Sequence, residues 1–169
     1  MGRTRTVIAG IVTAVVVIGV LPTAFAALDA TRAPVANCTR NQLGVRSNGT
    51  EGAAGTIYGA WVFTNVSKTT CRLNGYPDIR LYGKRGRPIT THVKTDLKPA
   101  PTNVRLASGD AATFRTSYSD VSSGGRCPTS SVAQITAPNA AAPLLIPAVL
   151  GPCGGIVHVS GVRPGIHHA

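Results

Sequence analysis

The residues of this chain that could do chemistry are four histidines (His92, His158, His167, His168), six acids, four cysteines and many serines. A zinc site needs three or four ligands, commonly with pairs two to four residues apart. No two cysteines stand at that spacing, and His167-His168 lie at the C-terminus, where they read as mobile. A blue-copper site needs a free cysteine and commonly a weak axial methionine, and Met1 is the only methionine. A serine hydrolase needs a base and an orienting group beside its nucleophile. No Gly-x-Ser-x-Gly elbow is present. A glycosidase needs two carboxylates facing each other. The acids are Asp29, Glu51, Asp78, Asp96, Asp110 and Asp120, and half of them fall in turns or the leader. No glycine cluster opens a helix, so no phosphate-cradling loop is expected. The residues therefore assign no catalytic, cofactor or metal role.

What they do assign is a destination. Arg3 and Arg5 form a short positive region, and Val7 to Leu21 carries no charge. Pro22 breaks that run, and Ala24-Phe25-Ala26 offers the small-x-small pattern cut by signal peptidase. Residues 1–26 thus read as a secretory signal peptide cut after Ala26. The competing reading is an uncleaved anchor, because about 20 apolar residues suffice to span a bilayer. A lipoprotein is disfavoured: Cys38 follows Val35-Ala36-Asn37, far from the apolar run. Arg3 and Arg5 are not adjacent, so a twin-arginine signal is not supported. The expected location is secreted, in the extracellular medium or the cell envelope.

Export makes the even cysteine count meaningful, because disulfides persist in oxidising compartments. Of the three connectivities of Cys38, Cys71, Cys127 and Cys153, the one favoured is Cys38–Cys71 with Cys127–Cys153. Each bridge then staples one end of the domain to a neighbouring strand. Loops of about 33 and 26 residues would each contribute roughly 3.5 kcal/mol in the chain-entropy model. Removing residues 1–26 lowers the formal charge from +11 to +9. That sign suits an anionic cell-wall polymer or an acidic protein, although a scattered charge also simply keeps an exported protein soluble. The tightest basic cluster is Lys84-Arg85-Gly86-Arg87, at an expected turn. Aromatics make up only 5% of the chain, too few for the stacking platforms that hold single-stranded nucleic acid. Membrane contact is expected only through an uncleaved signal segment.

These groups must be positioned by strands, since no window beyond the signal segment has a 3.6-residue period with caps. Thr56 to Val66 is the strongest strand, with Ile57, Trp61 and Phe63 on one face and Tyr58, Ala60 and Val62 on the other. Both faces are apolar, so it reads as a central strand with Trp61 in the core. Leu43-Gly44-Val45 starts another strand. Ile79–Tyr82 and Ile89–Lys94 read as a hairpin with Ile79, Leu81, Ile89, Thr91 and Val93 inward. Val104–Leu106 and Ala112–Tyr118 read as a second, half-exposed hairpin around Ser108-Gly109-Asp110. Val132–Thr136 and Ile156–Val162 complete the set. Pro143 and Pro147 restrict any strand between them to an edge. The expected fold is an all-β, immunoglobulin-like antiparallel sandwich of about 7–8 strands. Its boundaries are a signal peptide at 1–26, a flexible leader at 27–37, the domain at 38–165 and a tail at 166–169.

Several segments in order carry a resemblance. They are Cys38 with Leu43; Gly52-Ala53-Ala54-Gly55-Thr56-Ile57-Tyr58-Gly59; Phe63-Thr64-Asn65; Cys71-Arg72-Leu73-Asn74-Gly75-Tyr76-Pro77; Leu106-Ala107-Ser108-Gly109-Asp110-Ala111; and Cys127 through Cys153-Gly154-Gly155. Over about residues 38–165 the chain resembles the actinobacterial exported proteins of domain of unknown function family 4232. The resemblance implies a secreted or lipid-anchored protein and brings no catalytic or binding residues with it. The chain departs from lipid-anchored members in lacking a usable lipidation cysteine.

The expected function is an exported, non-enzymatic sandwich module that binds a partner. The alternatives are a small secreted hydrolase, and a protease inhibitor presenting the tethered Arg126-Cys127-Pro128-Thr129 loop. Export has a direct check: N-terminal sequencing of protein from the medium should begin at Ala27, and full-length chain held in the membrane fraction would refute cleavage.

Overall fold

A computed structural model describes Gly2 and residues 34–169. Apart from Gly2, the expected signal segment, its cleavage pattern at Ala24 and Ala26, and most of the 27–37 leader lie outside the described residues. The described strands in chain order are β1 (Leu43–Ala53), β2 (Thr56–Asn65), β3 (Cys71–Leu73), β4 (Asp78–Tyr82), β5 (Pro88–Ile89) and β6 (His92–Leu97). They continue with β7 (Val104–Leu106), β8 (Ala111–Ser119), β9 (Val132–Thr136), β10 (Leu144–Pro147), β11 (Ile156–Ser160) and β12 (Arg163–Pro164).

The largest sheet runs β1-β2-β8-β11-β6, with β12 also on β8. A second runs β10-β9-β4-β5, and β3 pairs with β7 alone. Side chains from all three sheets meet in one core, and the architecture is an all-β sandwich. The number of strands exceeds the expected 7–8, because short two- and three-residue pairings punctuate the corners.

Strand β2 is central, as its two apolar faces require. Trp61 and Phe63 are buried inward, and Ala60 and Val62 are buried on the opposite face. That outer face is crossed by the C-terminal tail. Thr113 Oγ1 donates to the Gly165 carbonyl at 2.7 Å, and the His167 N–H donates to Thr113 Oγ1 at 3.1 Å. Asn48 Nδ2 reaches the His167 carbonyl at 2.9 Å. His167 is therefore held by hydrogen bonds, where the sequence suggested a mobile end.

Phe114 of β8 lies 5.2 Å from Phe63 and 6.4 Å from Trp61, ring centre to ring centre, both pairs stacked. The Trp61 indole N–H donates to Thr116 Oγ1 at 3.0 Å. Gly59 makes this geometry possible. A Cβ there would stand 2.9 Å from Thr116 Oγ1 and 3.4 Å from Trp61 Nε1.

Three readings of local pairing are corrected. Val104–Leu106 and Ala112–Tyr118 are consecutive but not a hairpin: β7 pairs with β3, while β8 pairs with β2, β11 and β12. Strand β8 is accordingly buried along most of its length rather than half exposed. The hairpin at 79–94 closes after two pairs, Leu81↔Ile89 and Tyr82↔Pro88. The chain then changes sheets, and β6 runs parallel to β11, so the sandwich is not wholly antiparallel. Strand β1 extends to Ala53, well beyond Val45, and turns into β2 at Ala54 (φ 47°) and Gly55 (φ 79°), the positive-φ pair of a tight hairpin turn. Strand β10 is an edge, as its prolines demand.

Both disulfides form in the expected connectivity, Cys38–Cys71 and Cys127–Cys153. The first is buried in the core. Beside it sits a fully buried amide the sequence reading did not single out. Asn65 Nδ2 donates to the Thr69 and Leu106 carbonyls at 2.8 and 3.0 Å. Asn65 Oδ1 accepts from the Ser67 N–H and Oγ at 3.0 and 2.8 Å. Its backbone pairs with Asp110 and Gly109. One side chain thus ties the end of β2, the loop toward β3 and the β7–β8 turn. The Gly75-Tyr76-Pro77 turn follows, with Gly75 at φ 131°, a backbone conformation that favours glycine.

Trp61→Ala should lose about 3–5 kcal/mol by the cost of emptying a large core site. Gly59→Ala should lose about 1–3 kcal/mol by overpacking. Asn65→Ala should lose about 2–4 kcal/mol, since it strands buried backbone carbonyls. Urea titration measures all three. Native tryptophan emission should be blue-shifted and resist aqueous quenchers; a red-shifted, readily quenched native state would place Trp61 outside.

Candidate functional site

Two clusters outside the core gather ionisable or polar groups. The first lies at the open end of the large sheet. Parallel pairing of β6 with β11 sets His158 opposite Lys94, and antiparallel pairing sets it opposite Ser117 of β8. The register shifts between His158 and Ser160, and Asp96 comes within reach of the ring. His158 Nδ1 donates to Asp96 Oδ1 at 2.7 Å; an ionised carboxylate can only accept, so the proton sits on that nitrogen. Ser117, Ser119, Thr56 and Leu97 wall the same shallow hollow. A histidine oriented by an aspartate near serines is two thirds of a hydrolase constellation. The remaining bond is missing: neither serine hydrogen-bonds the ring, and Ser119 Oγ accepts from the Val121 N–H. Sequence reading named His158 among the groups that could do chemistry but did not pair it with Asp96. The two are 62 residues apart, and their meeting depends on a parallel pairing no local pattern announces.

The hydrogen bond from His158 holds the Asp96 carboxyl below its ordinary 3.8. A depressed carboxyl adds stability that is present above pH 3.8 and is lost as pH falls through the folded value. Asp96 should therefore titrate below 3.8 by carbon-detected NMR, and His158→Asn should return it toward 3.8.

The second cluster is basic. The β4–β5 connection is a tight turn over Lys84–Gly86, with Arg85 at φ 60°. The Gly83 N–H donates to the Arg87 carbonyl at 2.8 Å. Facing this turn are the two segments joined by Cys127–Cys153. They are also stitched by Ser130, whose N–H donates to the Leu150 carbonyl at 2.8 Å and whose Oγ donates to the Ala148 carbonyl at 2.7 Å. Between turn and staple lies a cleft of about 610 Å³ walled by Lys84, Arg87, Ile89, Thr90, Thr129 and Gly155, among others. Lys84 and Arg87 are its only charged side chains, and no acid lines it. Both are exposed, and neither joins the Asp78–Arg80 ion pair or the Asp96–His158 hydrogen bond among the described residues. The predicted basic turn is thus one wall of a cleft. The cleft itself, which needs the distant Cys127–Cys153 staple as its other wall, was not legible as a site.

Among the described residues, no three His, Cys, Asp or Glu side chains gather as a metal site. Arg126, the residue of the inhibitor reading, is exposed on the stapled loop. No curated protein and no solved structure matches the chain. The sequence model of the family described as Domain of unknown function (DUF4232) matches residues 38–163, the span that holds both disulfides, the Asn65 corner and the basic cleft, and the chain belongs to that family.

Proposed function

We propose that this chain is an exported, non-enzymatic sandwich module that takes an anionic partner, a cell-wall polymer or an acidic protein, at the Lys84–Arg87 cleft. One observation carries the reading: a cleft of about 610 Å³ whose only charges are two exposed, unpaired cations. Cations focused between low-dielectric walls raise the local concentration of anions and speed their capture. The backdrop agrees in sign, at +9 beyond the signal segment. Elsewhere on the domain, Arg115 and Arg163 likewise join no ion pair among the described residues. Export rests on the signal pattern of residues 1–26, and the two disulfides are compatible with an oxidising compartment.

The hydrolase reading has its own supporting observation, the His158–Asp96 bond beside Ser117. It is the second reading because neither Ser117 nor Ser119 hydrogen-bonds the His158 ring. Turnover of an activated ester that disappears in Ser117→Ala and His158→Asn would promote it.

The binding reading is tested on an anionic resin and on wall fractions. Lys84→Gln/Arg87→Gln should weaken retention about tenfold in apparent affinity at 0.1 M salt, in line with losing two phosphate-type contacts. Lys68→Gln/Lys98→Gln, which changes net charge equally away from the cleft, should alter it less than threefold. Equal losses from both pairs would reduce the interaction to bulk charge.

A further inference from the structure

The basic cleft does not end at its own walls. A second hollow of about 480 Å³ shares Lys84 and Thr129 with it and continues past Ser130, Ser131 and Pro147. A third, of about 230 Å³, shares Pro128 and Gly154 with the cleft and is walled by Ser122, Ser123, Arg126 and the Cys127–Cys153 bridge. The three adjoin along one surface. Their charged residues are Lys84, Arg87 and Arg126, all exposed and all unpaired among the described residues. No acid lines any of them, and no aromatic ring does either. The segments behind them are joined covalently by the disulfide and further tied by Ser130–Leu150 hydrogen bonds, including the Leu150 N–H to Ser130 Oγ at 2.9 Å.

Charge spaced along a run of adjoining hollows suits a chain of anions better than one compact anion, because each further cation can neutralise another phosphate and release the counterions condensed on the polymer. The absence of aromatics removes the stacking that single-stranded nucleic acid uses. Hydroxyls of Thr90, Thr129 and Ser123 offer neutral donors between the charges. Resting on the proposed anion-binding function, we infer that the stapled surface from Pro147 past Lys84 and Arg87 to Arg126 is a binding groove for a linear, base-free phosphate polymer.

The purified protein is titrated calorimetrically with inorganic polyphosphate of about fifteen units, with pyrophosphate, and with a single-stranded DNA oligomer of equal charge. Polyphosphate should bind at least 30-fold more tightly than pyrophosphate. Lys84→Gln/Arg87→Gln/Arg126→Gln should lose at least 30-fold and flatten the salt dependence by about 2 in slope, at roughly 0.7 per contact for a single strand. Lys68→Gln/Lys98→Gln/Arg105→Gln should lose less than threefold. NMR shift changes in the wild-type protein should fall on Thr129, Gly154 and Ser123 together, which locates the polymer without relying on a variant. Pyrophosphate binding as tightly as the polymer, or Arg126→Gln without effect while Lys84→Gln/Arg87→Gln abolishes binding, would overturn the extended groove and leave the single anion cleft standing. DNA binding more tightly than polyphosphate would overturn the base-free choice. Equal losses from both triple variants would overturn the groove and the cleft alike.

Discussion

The register of β2 on β8 is the constraint on which the rest of this structure hangs. The two strands align without interruption from Thr56↔Ser119 to Thr64↔Ala111. Within that run the Trp61 indole N–H finds its buried acceptor on Thr116, in the space Gly59 leaves open. A one-residue slip would turn Trp61 and Phe63 to the opposite face and leave the N–H without a partner in a dry core. The chain has only eight aromatic residues, and three of them stack here. The remaining volume is filled by aliphatic side chains such as Ile79, Leu81, Ile135 and Val157 and by the buried Cys38–Cys71 bridge. With little aromatic surface to spend on burial, the order of the two central strands carries a large share of the packing.

What could be read from the sequence tracks how local the deciding interaction is. The faces of β2 followed from alternation along one strand, and the disulfide partners from stapling each end of the domain to a neighbouring strand. The β7–β8 pair could not be read so. Asp110 closes a tight turn, with its N–H on the Ala107 carbonyl at 3.1 Å and its carboxylate accepting the Ala107 N–H at 2.9 Å, which looks locally like a hairpin. The competing pull is Asn65, whose bonds to the Leu106 carbonyl and to the Gly109–Asp110 backbone turn the corner, leaving β7 to pair with β3 and β8 with β2. Strand β1 hid its length for a different reason. Residues 46–53 are polar and glycine-rich because they form a sheet edge, and an edge strand carries no two-faced apolar signature. The parallel β6–β11 pairing, and with it the His158–Asp96 contact, joins segments too far apart for periodicity to register.

The same corners explain where the basic surface lies. Pieces that carry the family resemblance serve the scaffold: Phe63-Thr64-Asn65 and the 106–111 turn meet at the Asn65 amide, and the Gly75 carbonyl accepts from the Val162 N–H at 3.2 Å. Lys84, Arg87 and Arg126 carry no such duty. They extend from turns at the far end of the β10-β9-β4-β5 sheet, and no side-chain bond there ties them to the fold. A rigid frame presenting unattached charges on loops is the usual division between stability and recognition.

That division has an energetic side. The Asp78–Arg80 ion pair and the Asp96–His158 hydrogen bond among the described residues leave most of the cations facing water or one another, and like charges held on a compact body oppose folding. Two disulfides offset this by restricting the unfolded chain, at roughly 3.5 kcal/mol each in the entropy model. A domain stapled in this way can keep a surplus of positive charge that a core with few aromatics would otherwise support poorly. Because Cys127–Cys153 both stabilises the frame and forms part of the wall behind Arg126, its reduction would loosen the frame and the basic surface in one event. The stability of the fold and the shape of its basic surface therefore converge on one covalent bond.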